Sequence, residues 1–266
     1  MKGLEGKVAL VTGGGDAVGR SIALALAARG VRVVVTGSDE RALGETVGEI
    51  AYGGGKARHV AGDVTRPADV EAAAARAVEV FGGLDIVVAG AKEVEGVELG
   101  CEPDRAGALF ATNLLAAYHA FGAAASRMRG PGRLVATSCA PLGTPEQSRG
   151  STRSAAGPAF AASNAGLVGL VRATALELSP RKITCNAVVA GCVETEVSEK
   201  RLTAIAAAQG TTKDEVRAAA IAGSPLGRLL QPEEIAELVV FLCSPSADAI
   251  TGKAIAIGAN ATVLGI

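Results

Sequence analysis

The segment Val8-Ala9-Leu10-Val11-Thr12-Gly13-Gly14-Gly15-Asp16-Ala17-Val18-Gly19 decides the fold of this chain. An apolar run leads into three consecutive glycines, and residues 21–29 are rich in Ala and Leu, so the pattern predicts a strand, a tight turn and a helix. A second apolar run at residues 31–36 completes a βαβ unit. Such a turn directs backbone N–H groups and a helix dipole at one point, which favours a bound phosphate group. The alternative is a tight strand–helix turn without a ligand.

The alternation of apolar segments and helical patterns continues to the end of the chain. Strands are predicted at residues 7–12, 31–36, 56–61, 84–88, 133–137, 183–189 and 254–257. Because these strands show little alternation of apolar and polar residues, we expect a parallel sheet with helices on both faces. The predicted class is therefore α/β, with one Rossmann-like, doubly wound domain of about seven strands over residues 1–266. Ligands of such sheets bind at the carboxyl ends of the strands.

Composition limits the function further. The net charge is −1, so no basic surface indicates nucleic-acid binding. No apolar run approaches about 18 residues, which argues against a membrane span, and the amino terminus lacks the apolar core of a signal peptide. The five cysteines have no CxxC spacing. We therefore expect reduced thiols, a cytoplasmic location and no metal site.

Further motifs are similar to those of the classical short-chain dehydrogenase/reductase family over essentially the whole chain. They are Gly62-Asp63-Val64, Ala111-Thr112-Asn113-Leu114, Ile183-Thr184-Cys185-Asn186-Ala187, Pro225-Leu226-Gly227-Arg228 and Ile250-Thr251-Gly252. The resemblance implies an oxidoreductase scaffold that uses NAD or NADP. Residues 193–222 occupy the family's substrate-lid position and are similar to those of 3-hydroxybutyrate and hydroxyacyl-CoA dehydrogenases, which implies an acyl-type small molecule as ligand.

The resemblance also implies which residues would bind the cofactor, and this sequence differs from the family at several of these positions. The corresponding positions are Thr12, Gly13, Asp16, Gly19, Ser38, Asp63, Val64 and Thr195. Ala17 replaces the middle glycine of the family's turn, and Asp16 stands where NADP-dependent members often have arginine. Gly37 replaces the aspartate of NAD-dependent members. We therefore expect NAD or NADP to bind weakly or not at all.

This sequence differs most from the family at the acid/base positions. Its active site joins a serine, a tyrosine, a lysine and an asparagine, and here the corresponding residues are Ser138 and Cys139 at the serine pair, with Phe160, Asn164 and Asn113. Phe160, at the tyrosine position, has no exchangeable proton. Asn164, at the lysine position, has no charge that would lower the pKa of a neighbour. Hydride transfer by the family's route is therefore not expected.

Two segments bear on partners. Residues 144–154 form a polar insert with Pro and Gly, which is either a surface loop or a partner-contacting segment. The long helices predicted at 105–127 and 155–178 correspond to those that pair subunits in the family, so the resemblance implies a homo- or hetero-oligomer with another family member.

Three functions remain open. The first is a catalytically silent subunit beside an active family member, as in the hydroxyacyl-CoA dehydrogenase of benzylsuccinate degradation. The second is an atypical oxidoreductase, or a non-redox enzyme, in which Cys139, Ser138 or Lys92 replaces the missing acid. The third is a ligand-sensing protein that uses the old cofactor cleft.

Overall fold

The structure, a computed structural model, describes residues 3–91, 103–139 and 157–258. Within these ranges the chain forms seven strands and nine α-helices. The strands are β1 (Val8–Thr12), β2 (Arg32–Gly37), β3 (Ala57–Ala61), β4 (Ile86–Ala89), β5 (Gly132–Cys139), β6 (Ile183–Ala190) and β7 (Ala254–Ile257). The helices are α1 (Ala17–Ala27), α2 (Glu40–Tyr52), α3 (Pro67–Phe81), α4 (Pro103–Phe110), α5 (Ala116–Arg127), α6 (Gly157–Leu178), α7 (Glu196–Gln209), α8 (Lys213–Ala222) and α9 (Pro232–Cys243).

All seven strands form one parallel sheet in the order β3-β2-β1-β4-β5-β6-β7. The chain runs outward from β1 to β3 and then returns to place β4 on the other side of β1. The carboxyl ends of β1 and β4 therefore border the point where the strand order reverses, and open sheets of this kind bind ligands there.

Helices cover both faces of the sheet. Alternate residues of β2 show the two layers, because Val33 and Val35 face the core beneath α1, α2 and α9, whereas Val34 faces the core beneath α3, α5 and α6. Each central strand is buried along its length, as in β1 and β4. The predicted α/β class and doubly wound parallel sheet are confirmed.

Local differences from the sequence prediction affect the site. The helix predicted at 105–127 is interrupted by a wider π-helical turn at Ala111–Leu115 between α4 and α5. β5 is two residues longer at its carboxyl end than predicted, so Ser138 and Cys139 belong to the strand. Lys92 and the insert at 144–154 lie outside the described residues.

Two helical stretches, Asp104–Arg127 and Gly157–Arg181, are long and apolar enough to cross a membrane by length and composition alone. Core helices of soluble proteins pass the same test, so the observation is weak on its own. Each stretch packs part of its surface against the sheet, with Ala120 of one and Leu167 of the other in the same core layer.

Candidate functional site

A cavity of about 180 Å³ lies at the carboxyl edge of the sheet. Its walls come from the first turn of α1, the ends of β4, β5 and β6, and the inner face of α7. The described residues that line it are Asp16, Ala17, Val18, Gly90, Thr137, Ser138, Cys139, Ala190, Gly191, Cys192, Val193, Thr195, Val197, Ser198, Arg201, Leu202 and Ile235. We call this cavity the cleft.

The glycine-rich turn forms one end of the cleft region through backbone contacts. Gly13 has a φ of +68°, and a Cβ atom on Gly19 would lie 2.0 Å from the carbonyl oxygen of Gly13. A Cβ atom on Gly90 would lie 2.6 Å from the carbonyl oxygen of Thr12, and the Gly90 N–H donates to Thr12 Oγ1 over 3.1 Å. These glycines are required because the turn, α1 and the end of β4 approach each other so closely.

Two turn residues change how this end would receive a phosphate. Asp16 immediately precedes α1, where the helix dipole favours an anion, and Ala17 is the first residue of the helix. Both side chains are exposed and line the cleft. The backbone of the turn therefore fits a dinucleotide, but a carboxylate and a methyl group lie at the position where its phosphates would approach.

The residues assigned to the adenosine half of a cofactor lie at the ends of β2 and β3. Ser38 and Asp63 are exposed, whereas Val64 packs partly against the core. Asp63 Oδ1 accepts from the hydroxyl and the backbone N–H of Thr65 over 2.7 and 2.8 Å. These hydrogen bonds, led by the one from the hydroxyl, lower the pKa of Asp63, so its carboxylate is charged and held in place.

The acid/base positions are brought together but are closed to the cleft. Phe160 is 0% exposed and packs against Leu109, with Cys139 at the edge of this cluster. The Asn164 side chain donates from Nδ2 to the carbonyl oxygen of Phe160 over 2.8 Å and accepts at Oδ1 from Ser138 Oγ over 2.5 Å. The amide of Asn164 therefore satisfies neighbouring polar groups without exchanging a proton.

Asn113, the remaining family position, lies in the π-helical turn and is 0% exposed. Such wide turns recur at functional sites of helices, and here the turn lies where α4 meets α6 and α5. The structure thus gathers the predicted catalytic positions into one region, in which only Ser138 and Cys139 reach the cleft lining.

The α7 side of the cleft contains a group that sequence reasoning missed. Arg201 lines the cleft beside Cys139 and Cys192. Burial raises the pKa of Cys192, and the Arg201 charge offsets part of this effect. Burial also lowers the pKa of Arg201. A signal was available, because Val197, Ser198, Arg201 and Leu202 recur at helical spacing on one face of a predicted lid helix.

The lid, residues 193–222, contains two helices in contact, α7 and α8, each with a capped amino end. Thr195 and Ser198 form a capping box at the start of α7, and Thr212 and Glu215 form one at the start of α8. Thr195 therefore both caps the amino end of α7 and lines the cleft.

Ion pairs hold the two lid helices to each other and to the segment before them. Arg217 of α8 pairs with Glu194 and Glu199, and Lys213 pairs with Glu199. Gln231, which precedes α9, donates to Glu194 over 2.8 Å. The ion pairs therefore join the two lid helices, and the Gln231–Glu194 hydrogen bond joins the start of the lid to the segment before α9.

The described residues contain no group of three or more His, Cys, Asp or Glu side chains that would hold a metal ion. The thiols of Cys139 and Cys192 lie near each other without further ligands of that kind among the described residues.

Comparisons with known proteins agree with the sheet topology. A family model described as enoyl-(acyl carrier protein) reductase matches residues 14–259. The chain is similar to D-beta-hydroxybutyrate dehydrogenase of Cupriavidus necator, at 32% identity over 94% of this chain and 95% of that protein. It is also similar to 3-oxoacyl-[acyl-carrier-protein] reductase of Vibrio cholerae, at 32% identity with the same coverage.

Solved structures give the same result. The actinorhodin polyketide ketoreductase with NADPH superposes with a TM-score of 0.85 at 30% identity, covering 97% of each chain. A dehydrogenase/reductase from Sinorhizobium meliloti gives a TM-score of 0.82 at 28% identity, covering 97% of this chain and 96% of that one. The family match, the full-length relatives and the shared fold show that this chain belongs to the short-chain dehydrogenase/reductase family of oxidoreductases.

Proposed function

We propose that this family member is a catalytically silent subunit that assembles with an active short-chain dehydrogenase/reductase. The observation that carries the proposal is the state of the acid/base positions. Phe160 is fully buried without a titratable group, and Asn164 is hydrogen-bonded to Ser138 in the place where the family has a lysine.

The chemical reason is the need for a proton. Reduction of a carbonyl group delivers a hydride to carbon and requires a proton on the oxygen, which the family obtains from its tyrosine. In this chain the Ser138 hydroxyl already donates to Asn164. The Cys192 thiol has a raised pKa because it is buried, which disfavours the thiolate and any nucleophilic role.

The cofactor is expected to bind more weakly than in active members. The turn, Asp63 and Thr195 would hold a nicotinamide dinucleotide, which supplies a hydride when it is bound. Asp16 opposes this binding because its charge lies beside the phosphate position, and Ala17 adds a methyl group there. A cytoplasmic location remains a prediction from the sequence.

An exposed face of α5 and α6 supports assembly with a partner. Leu115, Tyr118 and Leu176 are large apolar side chains that are 46%, 61% and 79% exposed. Gly122 of α5 and Gly169 of α6 are also exposed, and a Cβ atom on either would meet nothing within 4 Å. We call these residues the partner face, because an apolar surface with small residues allows another helix to pack closely.

The test combines turnover and co-purification. The full chain, expressed with an affinity tag in its native cell, is expected to retain a second family member, and the purified chain alone is expected to show no NADH- or NADPH-dependent turnover of acetoacetate or acetoacetyl-CoA. Turnover by the chain alone with either substrate would contradict the proposal.

A pair of variants distinguishes specific assembly from non-specific association through exposed apolar side chains. Tyr118→Glu places a charge in the partner face and is expected to abolish retention of the second subunit. Tyr52→Glu places the same charge at the end of α2, where Tyr52 is 96% exposed, and is expected to leave retention unchanged. Equal behaviour of the two variants would count against the partner face.

An atypical reductase is the alternative, favoured by the position of Cys139 in the cleft lining and by relatives that are named as reductases. In that case, a cofactor-dependent activity of the purified chain would be lost in Cys139→Ala. Retention of an observed activity in Cys139→Ala, Ser138→Ala and Lys92→Ala would exclude these three residues as the replacement acid.

A further inference from the structure

Two cysteine side chains line the cleft from neighbouring segments of the sheet. Cys139 is the last residue of β5, and Cys192 follows the end of β6 by two positions. Both line the cleft and are partly exposed. The other cysteines that the structure describes, Cys185 and Cys243, are buried and are not among the described residues of the lining. A small thiophilic species that enters the cleft therefore meets two thiols.

The strand register places the two side chains on one face. Cys139 pairs with Ala190 in the parallel ladder of β5 and β6. Side chains alternate along an extended chain, so Cys192, two residues after Ala190, points to the same face. The chain stays extended beyond β6, where Val193 forms a parallel bridge with Leu230. The two thiols therefore lie on the same side of the carboxyl edge of the sheet.

The register also sets the distance between the two residues. Neighbouring strands lie about 4.8 Å apart and each residue advances the chain by about 3.3 Å, so the Cα atoms of Cys139 and Cys192 are about 8 Å apart. A disulfide bond requires Cα atoms closer than about 7 Å. A direct sulfur–sulfur bond would therefore require movement of the backbone, whereas one atom held between the two sulfur atoms would span the gap.

Arg201 supplies a positive charge to the same part of the cleft. Burial raises the pKa of the Cys192 thiol, and the charges of Arg201 and Cys139 act on it as well. Burial lowers the pKa of Arg201, and the charges of both thiols oppose this effect. The three groups are therefore close enough to interact electrostatically. Because charges act over several ångströms, Arg201 would offset a negative charge on the two sulfur atoms without a direct bond to them.

We propose that Cys139 and Cys192 bind one Cu(I) ion between their sulfur atoms. Thiolate sulfur is a soft ligand and is selective for soft ions such as Cu(I). Binding exchanges two thiol protons for one Cu⁺ ion, which leaves a singly negative complex, and no electron is transferred. The sulfur atoms would be separated by about twice a metal–sulfur bond of roughly 2.3 Å, which two side chains at diagonal positions of adjacent strands can span.

The same geometry argues against zinc. A structural zinc ion takes four ligands, and the described residues contain no group of three or more His, Cys, Asp or Glu side chains. Cu(I) needs only the two sulfur atoms. The sequence predicted no metal site because its cysteines have no CxxC spacing, but the sheet brings together two cysteines that are far apart in the chain. This site does not depend on whether the chain is catalytically silent.

The experiment is an anaerobic titration of the reduced, purified full chain with Cu(I), in competition with ferrozine, a coloured chelator of this ion. The wild type is expected to withdraw one equivalent of Cu(I) from the chelator, and X-ray absorption at the copper edge is expected to show two sulfur neighbours. No withdrawal of copper, or a coordination shell without two sulfur atoms, would overturn the proposal. Because NADH, NADPH and turnover are not involved, an active chain would leave this result unchanged, and a silent chain that withdraws no copper would lose only this inference.

Four variants assign the ligands. Cys139→Ser and Cys192→Ser each leave one thiol in the cleft, and each is expected to lose the withdrawal of Cu(I). Cys185→Ala removes a buried thiol of β6, and Cys101→Ser removes a thiol outside the described residues, so both are expected to withdraw one equivalent as the wild type does. Unfolding temperatures verify that the variants are folded. One equivalent withdrawn by either cleft variant, or none by a folded control variant, would overturn the assignment.

Discussion

The glycine-rich turn and the predicted acid/base positions of α6 lie at the same edge of the sheet, and the resemblance to the family predicts that they have kept different amounts of its pattern. In the turn, Gly13 and Gly19 remain, and a side chain at Gly19 would clash with backbone of the turn itself. On α6, Phe160 and Asn164 occupy the positions at which the resemblance to the family predicts a tyrosine and a lysine. Phe160 packs against Leu109, and the Asn164 side chain donates to the carbonyl oxygen of Phe160.

The glycines of the turn and the residues of α6 are constrained by different requirements. The glycines are required by the fold, because α1 and β4 cannot approach the turn otherwise. They would remain whether or not a cofactor binds. The residues of α6 that faced the chemistry can change as long as they fill the same space and satisfy Ser138. The motif of the turn therefore indicates ancestry and fold, whereas the proposal about activity depends on the residues of α6.

Gly19→Ala is the strongest test of this comparison. Its Cβ atom would lie 2.0 Å from the Gly13 carbonyl oxygen, so we expect the free energy of unfolding to fall by about 3 kcal/mol or more. Gly48→Ala, in α2 where a Cβ atom meets nothing within 4 Å, is expected to stabilise by about 0.5–1 kcal/mol. Urea unfolding measures both. A tolerated Gly19→Ala would mean that the fold does not require this glycine.

Ser138→Ala tests the acid/base region. It removes the donor to Asn164 Oδ1 and leaves a buried acceptor without that bond, so we expect a loss of about 1–3 kcal/mol in the free energy of unfolding. The matched control is Ser126→Ala at the end of α5, where the exposed hydroxyl bonds to a backbone carbonyl and little should change. Similar losses in both variants would show that the Ser138–Asn164 hydrogen bond contributes no more to the free energy of unfolding than an exposed one does.

Ala17→Gly tests whether the methyl group of Ala17 in the turn hinders cofactor binding. It restores the family's middle glycine and removes a methyl group from the cleft lining, so NADPH affinity is expected to rise. Stability is expected to fall by about 0.5–1 kcal/mol, because glycine is a poorer helix former than alanine. Fluorescence titration with NADPH measures the affinity, with Ala28→Gly at the other end of α1 as control. An unchanged affinity would remove Ala17 as an obstacle.

The Arg228–Glu234 pair lies outside both regions and gives the smallest effect. Its hydrogen bonds, led by the one from Arg228, lower the pKa of Glu234 from 4.5 to about 2. Because the folded pKa is depressed, this stabilisation is present above pH 4.5 and is lost as the pH falls towards 2. The unfolding temperature of Arg228→Gln should therefore lie below that of the wild type at pH 6, and the two should converge at low pH. A constant difference across this range would contradict the assignment.

The sequence allowed the sheet and its class to be predicted, because apolar strands and glycine turns are local signals. The assignment of Phe160 and Asn164 to the acid/base positions comes from the resemblance to the family motif and stays a prediction. The bond between Ser138 and Asn164 was not, since it joins residues 26 positions apart and depends on how α6 packs on β5. Arg201 was missed because the helical spacing that places it on one face with Val197 and Leu202 does not show that this face lies over the cleft.

The π-helical turn was missed for a similar reason. Nothing local distinguishes Ala111–Leu115 from the helical residues on either side, and the wider turn arises where α4, α5 and α6 meet. Asn113 was identified from the family motif, but its complete burial could be seen only in the structure.

The capped helical pair over the cleft has a consequence for the rate of ligand exchange. Since α7 and α8 each begin with a capping box, their ends stay satisfied when the pair moves away from the sheet. Ligand entry then requires displacement of a preformed body, which occurs in microseconds to milliseconds, and not the slower melting and rebuilding of helices. The ion pairs of Arg217 with Glu194 and Glu199 lie within residues 193–222, so they hold the two helices together while the pair moves.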